Sequence, residues 1–245
     1  MICVIVVGGP CEPYVNKSLL SIKNQKFVDW KACVVVDPVG DKAGAVAKLH
    51  ENEKIKVIQN TERNYAIPNI IKAIKELNPK DEDILITVDL DDWLAHDNVF
   101  SIIHNYYTNN PNLLLTYGSW MSFPNPNIRT NCSPYIEDDF KNGIRKTGFR
   151  ATHLRTFKYK LWKHIKDEDL KDHQGNYFTV TWDLAFAWPM VEMAGFNRTQ
   201  FVPEKLYVYN QETPHNDHKL QLQKQMFYER YLVDSKVPYT YTENL

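Results

Sequence analysis

The sequence lacks the charge imbalance and the metal-binding cysteine pattern that mark several classes of protein. Its 29 basic and 30 acidic residues nearly balance, so no overall field attracts nucleic acid or an anionic membrane. No CxxC pair and no His/Cys cluster with zinc spacing occurs among its four cysteines, Cys3, Cys11, Cys33 and Cys132. This cysteine usage is typical of a reducing cytosol. From the balanced charge we expect no nucleic-acid partner.

Long apolar runs are also missing. The N-terminal stretch Met1–Val7 is apolar, but it has no basic residues before it and ends within seven residues. It is too short for a signal peptide, and no other segment approaches the ~20 apolar residues of a membrane span. We therefore expect a soluble, cytoplasmic protein without a transmembrane segment. With 43% hydrophobic and 13% aromatic residues, and only 9 glycines, the chain has enough apolar material for a folded core.

Strand-like and helix-like segments alternate through the first half of the chain. The predicted strands are Ile2–Val7, Ala32–Val36, Ile55–Ile58, Ile84–Val88 and Leu113–Thr116. The predicted helices between them are Tyr14–Asn24, Lys42–Asn52, Ile67–Leu77 and Val99–Tyr107. Such alternation with short links predicts βαβ units with right-handed crossovers, and hence an α/β fold with a mainly parallel sheet.

The alternation ends after Tyr117. The second half is predicted to contain a long loop at Ser122–Glu137, helices at Thr156–Ile165, Thr181–Ala194 and Asp217–Val233, and a strand at Leu206–Tyr209. Because no linker, internal repeat or low-complexity tract separates the halves, we expect residues 1–245 to form a single domain with a regular half, 1–116, and an irregular half, 117–245.

Three carboxylates follow the predicted fourth strand, at Asp89, Asp91 and Asp92. Like charges at one point repel and are costly to bury, and a hard divalent cation such as Mg²⁺ or Mn²⁺ relieves that repulsion. Open α/β sheets also bind ligands at the carboxyl ends of their strands. The motif therefore predicts a metal–diphosphate site. The alternative is an acidic loop in which Asp91 or Asp92 caps a helix at Ala95–Tyr107.

Other strand ends carry residues that suit a nucleotide. Gly8 and Gly9 follow the first strand and permit close approach of the backbone, while Asp37 ends the second strand and offers an acid for ribose or base. Arg63 and Asn64 follow the third strand. Each of these is also consistent with an ordinary turn. Their expected position along one crevice favours a shared nucleotide-binding role.

These motifs resemble those of the GT-A fold glycosyltransferases of family 2. The segment Ser18–Gln25 is similar to the family's first helix with its S-I-x-x-Q ending, and Val34–Asp37 is similar to its strand that ends in a nucleotide-binding acid. The segment Val88–Asp92 resembles the family's L-D-x-D-D metal motif. The resemblance covers most of the chain and is strongest over residues 2–100.

The resemblance implies a different role for each acid of the predicted site. Asp37 would contact the nucleobase or ribose, Asp89 the nucleotide, and Asp91 the divalent metal. Two loops depart from the family pattern: Gly8–Cys11 stands where Thr-Tyr-Asn is usual, and Asp37–Gly40 where Asp-Asp-Gly-Ser is usual. These departures leave the base and the sugar of the donor open. Residues 1–116 would form the nucleotide-sugar-binding half and 117–245 the acceptor-side half.

The acidic motif of the second half is Thr181–Ala185, which resembles a family motif that usually reads Glu-Asp. By this resemblance Asp183 would be the general base, with Trp182 in place of the more usual Glu. Inverting transfer needs one carboxylate to take the proton of the acceptor hydroxyl while a metal stabilises the leaving diphosphate. The alternative is that Asp183 only caps a helix at Leu184–Ala194.

Two further residues complete the predicted site. His215 falls where some relatives have a histidine that meets the metal or the diphosphate, although a solvated histidine explains it equally well. Arg155 would neutralise diphosphate charge, and a surface ion pair is the alternative explanation.

The resulting hypothesis is an inverting, metal-dependent transferase that moves a sugar from a nucleotide-diphosphate sugar to a glycan or another acceptor bearing a hydroxyl group. A sugar-nucleotide nucleotidyltransferase is a second possibility, but the glycines run into the stiff, acidic Pro10–Pro13 instead of a basic loop. A phosphatase with an aspartyl nucleophile would carry its motif after the first strand. A nucleotide-sugar-binding protein without turnover is the remaining alternative.

Overall fold

The computed structural model of the protein describes residues 1–128, 130, 132–213, 220–243 and 245. Its strands are β1 (Ile2–Gly8), β2 (Trp30–Val36), β3 (Ile55–Gln59), β4 (Ile84–Asp89), β5 (Trp93–Leu94), β6 (Leu115–Phe123), β7 (Thr156–Lys158) and β8 (Thr199–Asn210). Its α-helices are α1 (Glu12–Lys23), α2 (Ala43–Lys48), α3 (Ala66–Leu77), α4 (Val99–Asn109), α5 (Glu137–Asn142), α6 (Tyr159–Trp162), α7 (Trp182–Ala194) and α8 (Leu222–Asp234). Short 3₁₀ turns lie at Ile144–Thr147, Asp167–Leu170 and Phe196–Arg198.

The strands form one mainly parallel sheet in the order β3-β2-β1-β4-β7-β6-β8-β5. The neighbours β3, β2, β1 and β4 run parallel, as do β6 and β8, while β7 is antiparallel to both β4 and β6. The predicted α/β fold with a mainly parallel sheet is thus confirmed. From β1 the chain first builds outward through β2 and β3, and then returns to place β4 on the other side of β1. A reversal of this kind is where open α/β sheets leave a crevice for a ligand.

Helices cover both faces of the sheet, because successive apolar side chains of β1 point to opposite faces and both faces need cover. Ile2, Val4 and Val6 lie in the apolar cluster that includes the buried faces of α1 and α4. Cys3, Ile5 and Val7 lie in the opposite cluster with the buried residues of α3 and α7. Because a strand turns successive side chains to opposite faces, only a continuous apolar run can serve two cores.

Helix α7 is the buried helix of the second half. All its residues from Leu184 to Ala194 are buried except Glu192, whose side chain is nevertheless only 7% exposed and pairs with the buried Arg145. A helix that is apolar on every side belongs inside a core. Its first turn, by contrast, contains the half-buried Trp182 and Asp183 at the end of the helix that reaches the strand ends.

The predicted helix at Thr156–Ile165 is wrong in its first part. Thr156–Lys158 forms strand β7, which pairs with both β4 and β6, and only Tyr159–Trp162 is helical. Thr156 and Phe157 are fully buried, and the Thr156 hydroxyl lies 2.6 Å from that of Thr116 on the neighbouring strand. These β-branched and aromatic residues suit a sheet interior, and that tertiary environment decides their conformation.

Other boundaries also differ from the predictions. Strand β8 begins at Thr199, well before the predicted Leu206, whereas helix α4 begins at Val99 as predicted and not at the Ala95 of the helix-cap alternative. The last predicted helix is present as α8, although residues 217–219 lie outside the described residues. Among the helices that the structure describes, none is both long enough and apolar enough to span a bilayer.

Candidate functional site

A cavity of about 280 Å³ lies at the carboxyl ends of β1, β2 and β4. The parallel register explains its position, since Gly8 pairs with Val36 across one interface and Val7 with Asp89 across the other. Nine residues singled out from the sequence line this cavity, namely Gly8, Gly9, Asp37, Arg63, Asp89, Asp91, Asp92, Arg155 and Asp183. Residues from both halves of the chain therefore meet at one edge of the sheet.

The remaining two residues of the predicted site are Asn64 and His215. Asn64 is described but does not line the cavity, and its amide donates to the carbonyl of Glu62 at 3.3 Å. His215, predicted as a metal ligand, lies outside the described residues.

Close packing requires a glycine at position 8, which also lines the cavity. A Cβ atom at Gly8 would lie 2.5 Å from the Cβ of Leu90, which is closer than packed atoms can approach. At Gly9 the nearest atom would be a methyl group of Val39 at 3.1 Å. Gly8 thus permits the loops after β1 and β4 to pack closely, and this narrow junction forms part of the cavity wall.

Asp37 is a buried carboxylate held by three donors. Its Oδ1 accepts hydrogen bonds from the side-chain amides of Asn60 at 2.8 Å and Asn69 at 3.0 Å, and its Oδ2 accepts one from the backbone N–H of Tyr65 at 2.9 Å. These bonds tie the end of β2 to the start of α3. The carboxylate is thus the centre of a buried network, and its contact with a nucleotide stays a prediction.

Asp92 anchors the acidic loop to β8. One carboxylate oxygen accepts from the Tyr207 hydroxyl and the other from the backbone N–H of Asn210, both at 2.7 Å. Burial, together with the charges of Asp91 and Asp89, raises the pKa of Asp92 well above its ordinary value. The helix-cap alternative for Asp91 or Asp92 is wrong, because α4 begins several residues later and Asp92 binds β8 instead.

Ligand atoms of Asp89, Asp92 and His153 all lie within 4.8 Å of one another, so they form a candidate metal site. Burial and the charge of Arg155 lower the pKa of His153 well below its ordinary value. The ring is therefore neutral at pH 7, which is the form that ligates a metal. Two carboxylates and an imidazole suit Mn²⁺, which accepts both oxygen and nitrogen ligands.

His153 was missed by the sequence-based prediction. It precedes β7, and its ring stacks on that of Tyr207 with centroids 4.6 Å apart and planes 6° from parallel. Only the insertion of β7 beside β4 brings His153 to the carboxylates. Because that strand was predicted as a helix, no sequence signal placed His153 near Asp89.

Asp183 lies in the first turn of α7 and pairs with Arg155. Its Oδ2 accepts a hydrogen bond from Arg155 Nη1 at 3.1 Å. Arg155 is only 2% exposed, so the alternative of a surface ion pair is wrong for this residue. The cap alternative for Asp183 is wrong as well, since Thr181 occupies the position before the helix.

The family model described as "Glycosyl transferase family 2" matches residues 2–165, about two thirds of the chain. Comparison with curated proteins gives no match. The matching region contains β1 to β7 and includes both the acidic loop and the segment from His153 to Arg155.

Solved structures of glycosyltransferases share the fold. TarS from S. aureus, residues 1–349 in complex with UDP-GlcNAc, is 16% identical with a TM-score of 0.65, covering 87% of this chain and 59% of TarS. A longer TarS structure is 17% identical with a TM-score of 0.62, covering 85% of this chain and 36% of that one. The mannosyltransferase PcManGT from Pyrobaculum calidifontis, in complex with GDP-Man and Mn²⁺, is 16% identical with a TM-score of 0.62, covering 97% and 65%.

The chain thus spans between about a third and two thirds of the length of these structures. At such low identity the likeness concerns the fold, which is of the GT-A type. The family match rests on the sequence itself and covers more than half of the chain. On that evidence, the chain belongs to glycosyl transferase family 2.

Proposed function

We propose that this chain transfers a sugar from a nucleoside-diphosphate sugar to an acceptor hydroxyl, with inversion at the anomeric carbon and with help from a divalent metal. The observation that carries the proposal is the single cavity that contains Asp37, Asp89 and Asp91 from the strand ends together with Asp183 from α7. In this proposal Asp37, Asp89 and Asp91 bind the nucleotide and the metal. Asp183 provides the general base on the acceptor side.

The donor lies across the carboxyl ends of β2, β1 and β4 in this proposal. Asp37 accepts a hydrogen bond from the nucleoside, and the narrow Gly8–Gly9 junction lets the backbone approach the diphosphate. Arg63 lines the same cavity and stacks over the Tyr65 ring, with its guanidinium carbon 4.4 Å from the ring centroid. Related structures contain UDP-GlcNAc or GDP-Man, so both nucleotides are candidates for this chain.

The metal site draws on Asp91, as the family motif implies, and on the geometric cluster of Asp89, Asp92 and His153. A bound Mn²⁺ or Mg²⁺ would stabilise the negative charge of the departing diphosphate. Asp92 already accepts two hydrogen bonds, so its main role is to orient the loop that carries Asp89 and Asp91. His215 remains a proposed additional ligand.

Asp183 acts as the general base. It takes the proton from the acceptor hydroxyl as that oxygen forms a bond to the anomeric carbon. The bond between this carbon and the diphosphate oxygen breaks, and the electron pair leaves with the nucleoside diphosphate. Because attack and departure occur on opposite faces, the configuration inverts. Removing a general base typically slows a reaction about 10²- to 10⁴-fold.

A thermal-shift screen of UDP, GDP, ADP and CDP, with and without Mn²⁺, tests the donor part of the proposal. A ligand that binds only the folded state raises the melting temperature by mass action. We expect one of these nucleotides to raise it clearly, and only in the presence of Mn²⁺. No shift with any nucleotide, or the same shift in EDTA, would contradict metal-dependent donor binding.

A further inference from the structure

Arg155 is among the largest fully buried side chains of the protein, yet it carries a permanent positive charge. Within the described residues its ion-pair partner is Asp183, with Nη1 and Oδ2 3.1 Å apart. Its Nη2 lies 3.4 Å from Nδ1 of His153. A buried cation needs a compensating anion, so the Arg155–Asp183 pair is a firm constraint on both side chains.

Aromatic rings of α7 fix the guanidinium in place. The guanidinium carbon of Arg155 lies 5.7 Å from the ring centroid of Trp182 and 5.8 Å from that of Phe186, both within cation–π range. Both rings belong to the helix that carries Asp183. Arg155 therefore connects the segment before β7, where His153 lies, to the first turn of α7.

The two oxygens of Asp183 are used differently. Oδ2 accepts from Arg155, whereas Oδ1 accepts no hydrogen bond from any side chain or backbone group that the structure describes. The side chain is 25% exposed and lines the cavity. One oxygen is thus anchored while the other keeps lone pairs that can receive a proton, which is the arrangement a general base requires.

We infer that Arg155 is a positioning residue that holds Asp183 in the orientation needed to take the acceptor proton, instead of a ligand of the donor diphosphate. This inference rests on the proposed function, in which Asp183 is the base. It replaces the sequence-based expectation for Arg155, because its guanidinium already pairs with Asp183 and lies beside two aromatic rings of α7.

Variants at Arg155 separate the two roles. Arg155→Lys keeps a charge that can reach Asp183 but loses the planar fork, and Arg155→Met removes the charge with little change in volume. Lys158→Met is the matched control, since Lys158, three residues further along in β7, is another buried cation and pairs with Glu82 at 2.8 Å, outside the cavity. The readouts are hydrolysis of UDP-GlcNAc and of GDP-mannose, with water as acceptor, and the dissociation constant of UDP and GDP with Mn²⁺.

A positioning role predicts that Arg155→Met lowers kcat by about 10²-fold, within the range for loss of a general base, while the nucleotide dissociation constant changes less than 3-fold. Arg155→Lys should recover about 10-fold of that loss, and Lys158→Met should keep the wild-type kcat. The double variant with Asp183→Asn should be no slower than Asp183→Asn alone, because both substitutions remove one function.

A nucleotide dissociation constant that rises 10-fold or more in Arg155→Met, with kcat little changed, would overturn the inference. Arg155 would then be a ligand of the donor diphosphate. Additive losses in the double variant would overturn it as well. If Asp183→Asn alone hydrolyses donor at the wild-type rate, the proposed base itself fails. That result is read from the single variant, so it is distinguishable from a failure at Arg155.

Discussion

At the scale of the residue, burial and hydrogen bonding distinguish the roles of acids that look alike in the sequence. Asp92 follows Asp91 directly, and both line the cavity, but Asp92 is buried and accepts hydrogen bonds from Tyr207 and Asn210, whereas Asp91 is half-buried. Spacing alone cannot make this distinction, because the partners of Asp92 lie more than a hundred residues away.

Asp37→Asn tests the nucleoside contact at this scale. Asparagine keeps one acceptor oxygen for Asn60 and Asn69 and loses only the bond from the Tyr65 N–H, whereas alanine would leave all three donors unpaired at a cost of about 1–3 kcal/mol for each buried one. Losing a charged acceptor for the nucleoside should weaken nucleotide binding about 10- to 100-fold, with little change in kcat. Calorimetric titration with the nucleotide found by the thermal-shift screen measures this, and unchanged affinity would remove Asp37 from the donor site.

Asp91→Asn tests the metal. Transfer should be nearly abolished, while the fold is kept, because the hydrogen bond from Asn210 goes to the backbone carbonyl of Asp91 and survives the substitution. Wild-type enzyme in excess EDTA should lose activity to the same extent and regain it with Mn²⁺. Circular dichroism of the variant serves as the control for folding. Full activity in excess chelator would show that the acidic loop works without a metal.

At the scale of the element, the parallel core was predictable and the inserted strand was not. A short apolar run that is rich in β-branched residues, such as Ile2–Val7, is typical of a strand covered on both faces. Strand β7 has three residues and is stabilised by its position between β4 and β6. Its conformation depends on neighbours far along the chain. The site residue that the prediction missed, His153, precedes this strand.

The attachment of α8 to α7 is a second feature of this scale. Arg145 donates two hydrogen bonds to Glu192 of α7, at 2.7 and 2.8 Å, and another to the carbonyl of Leu232 in α8 at 2.9 Å. Glu192 in turn accepts from the backbone N–H of Tyr239 at 2.8 Å. This buried, bidentate pair connects the two helices near the chain's end.

Arg145→Met should therefore lower the free energy of unfolding by about 3–5 kcal/mol, because it leaves Glu192 buried without its partner. Arg230→Met is the matched control: Arg230 is 85% exposed and pairs with Asp234 on the surface of α8, an interaction worth at most about 1 kcal/mol. Urea denaturation measures both. Equal stability of the two variants would mean that the buried pair does not stabilise the attachment of α8.

At the scale of the whole molecule, the site is a product of topology. The reversal of strand order around β1 places the ends of β1, β2 and β4 beside one another, and the buried α7 brings Asp183 to the same cavity from the second half. The sequence predicted this meeting through the resemblance to a known family. It could not predict the pairing of Asp183 with Arg155, because that contact depends on the position of β7 relative to α7.

The most direct test of the proposed function is the turnover of Asp183→Asn against wild type, with UDP-GlcNAc and GDP-mannose as donors and Mn²⁺ present. Asparagine can still accept a hydrogen bond from Arg155, so nucleotide affinity should be kept. We predict that wild type releases nucleoside diphosphate from one of these donors and that the variant is about 10²- to 10⁴-fold slower, as expected for loss of a general base. A variant that releases nucleoside diphosphate as fast as wild type would contradict the assignment of Asp183 and the mechanism built on it.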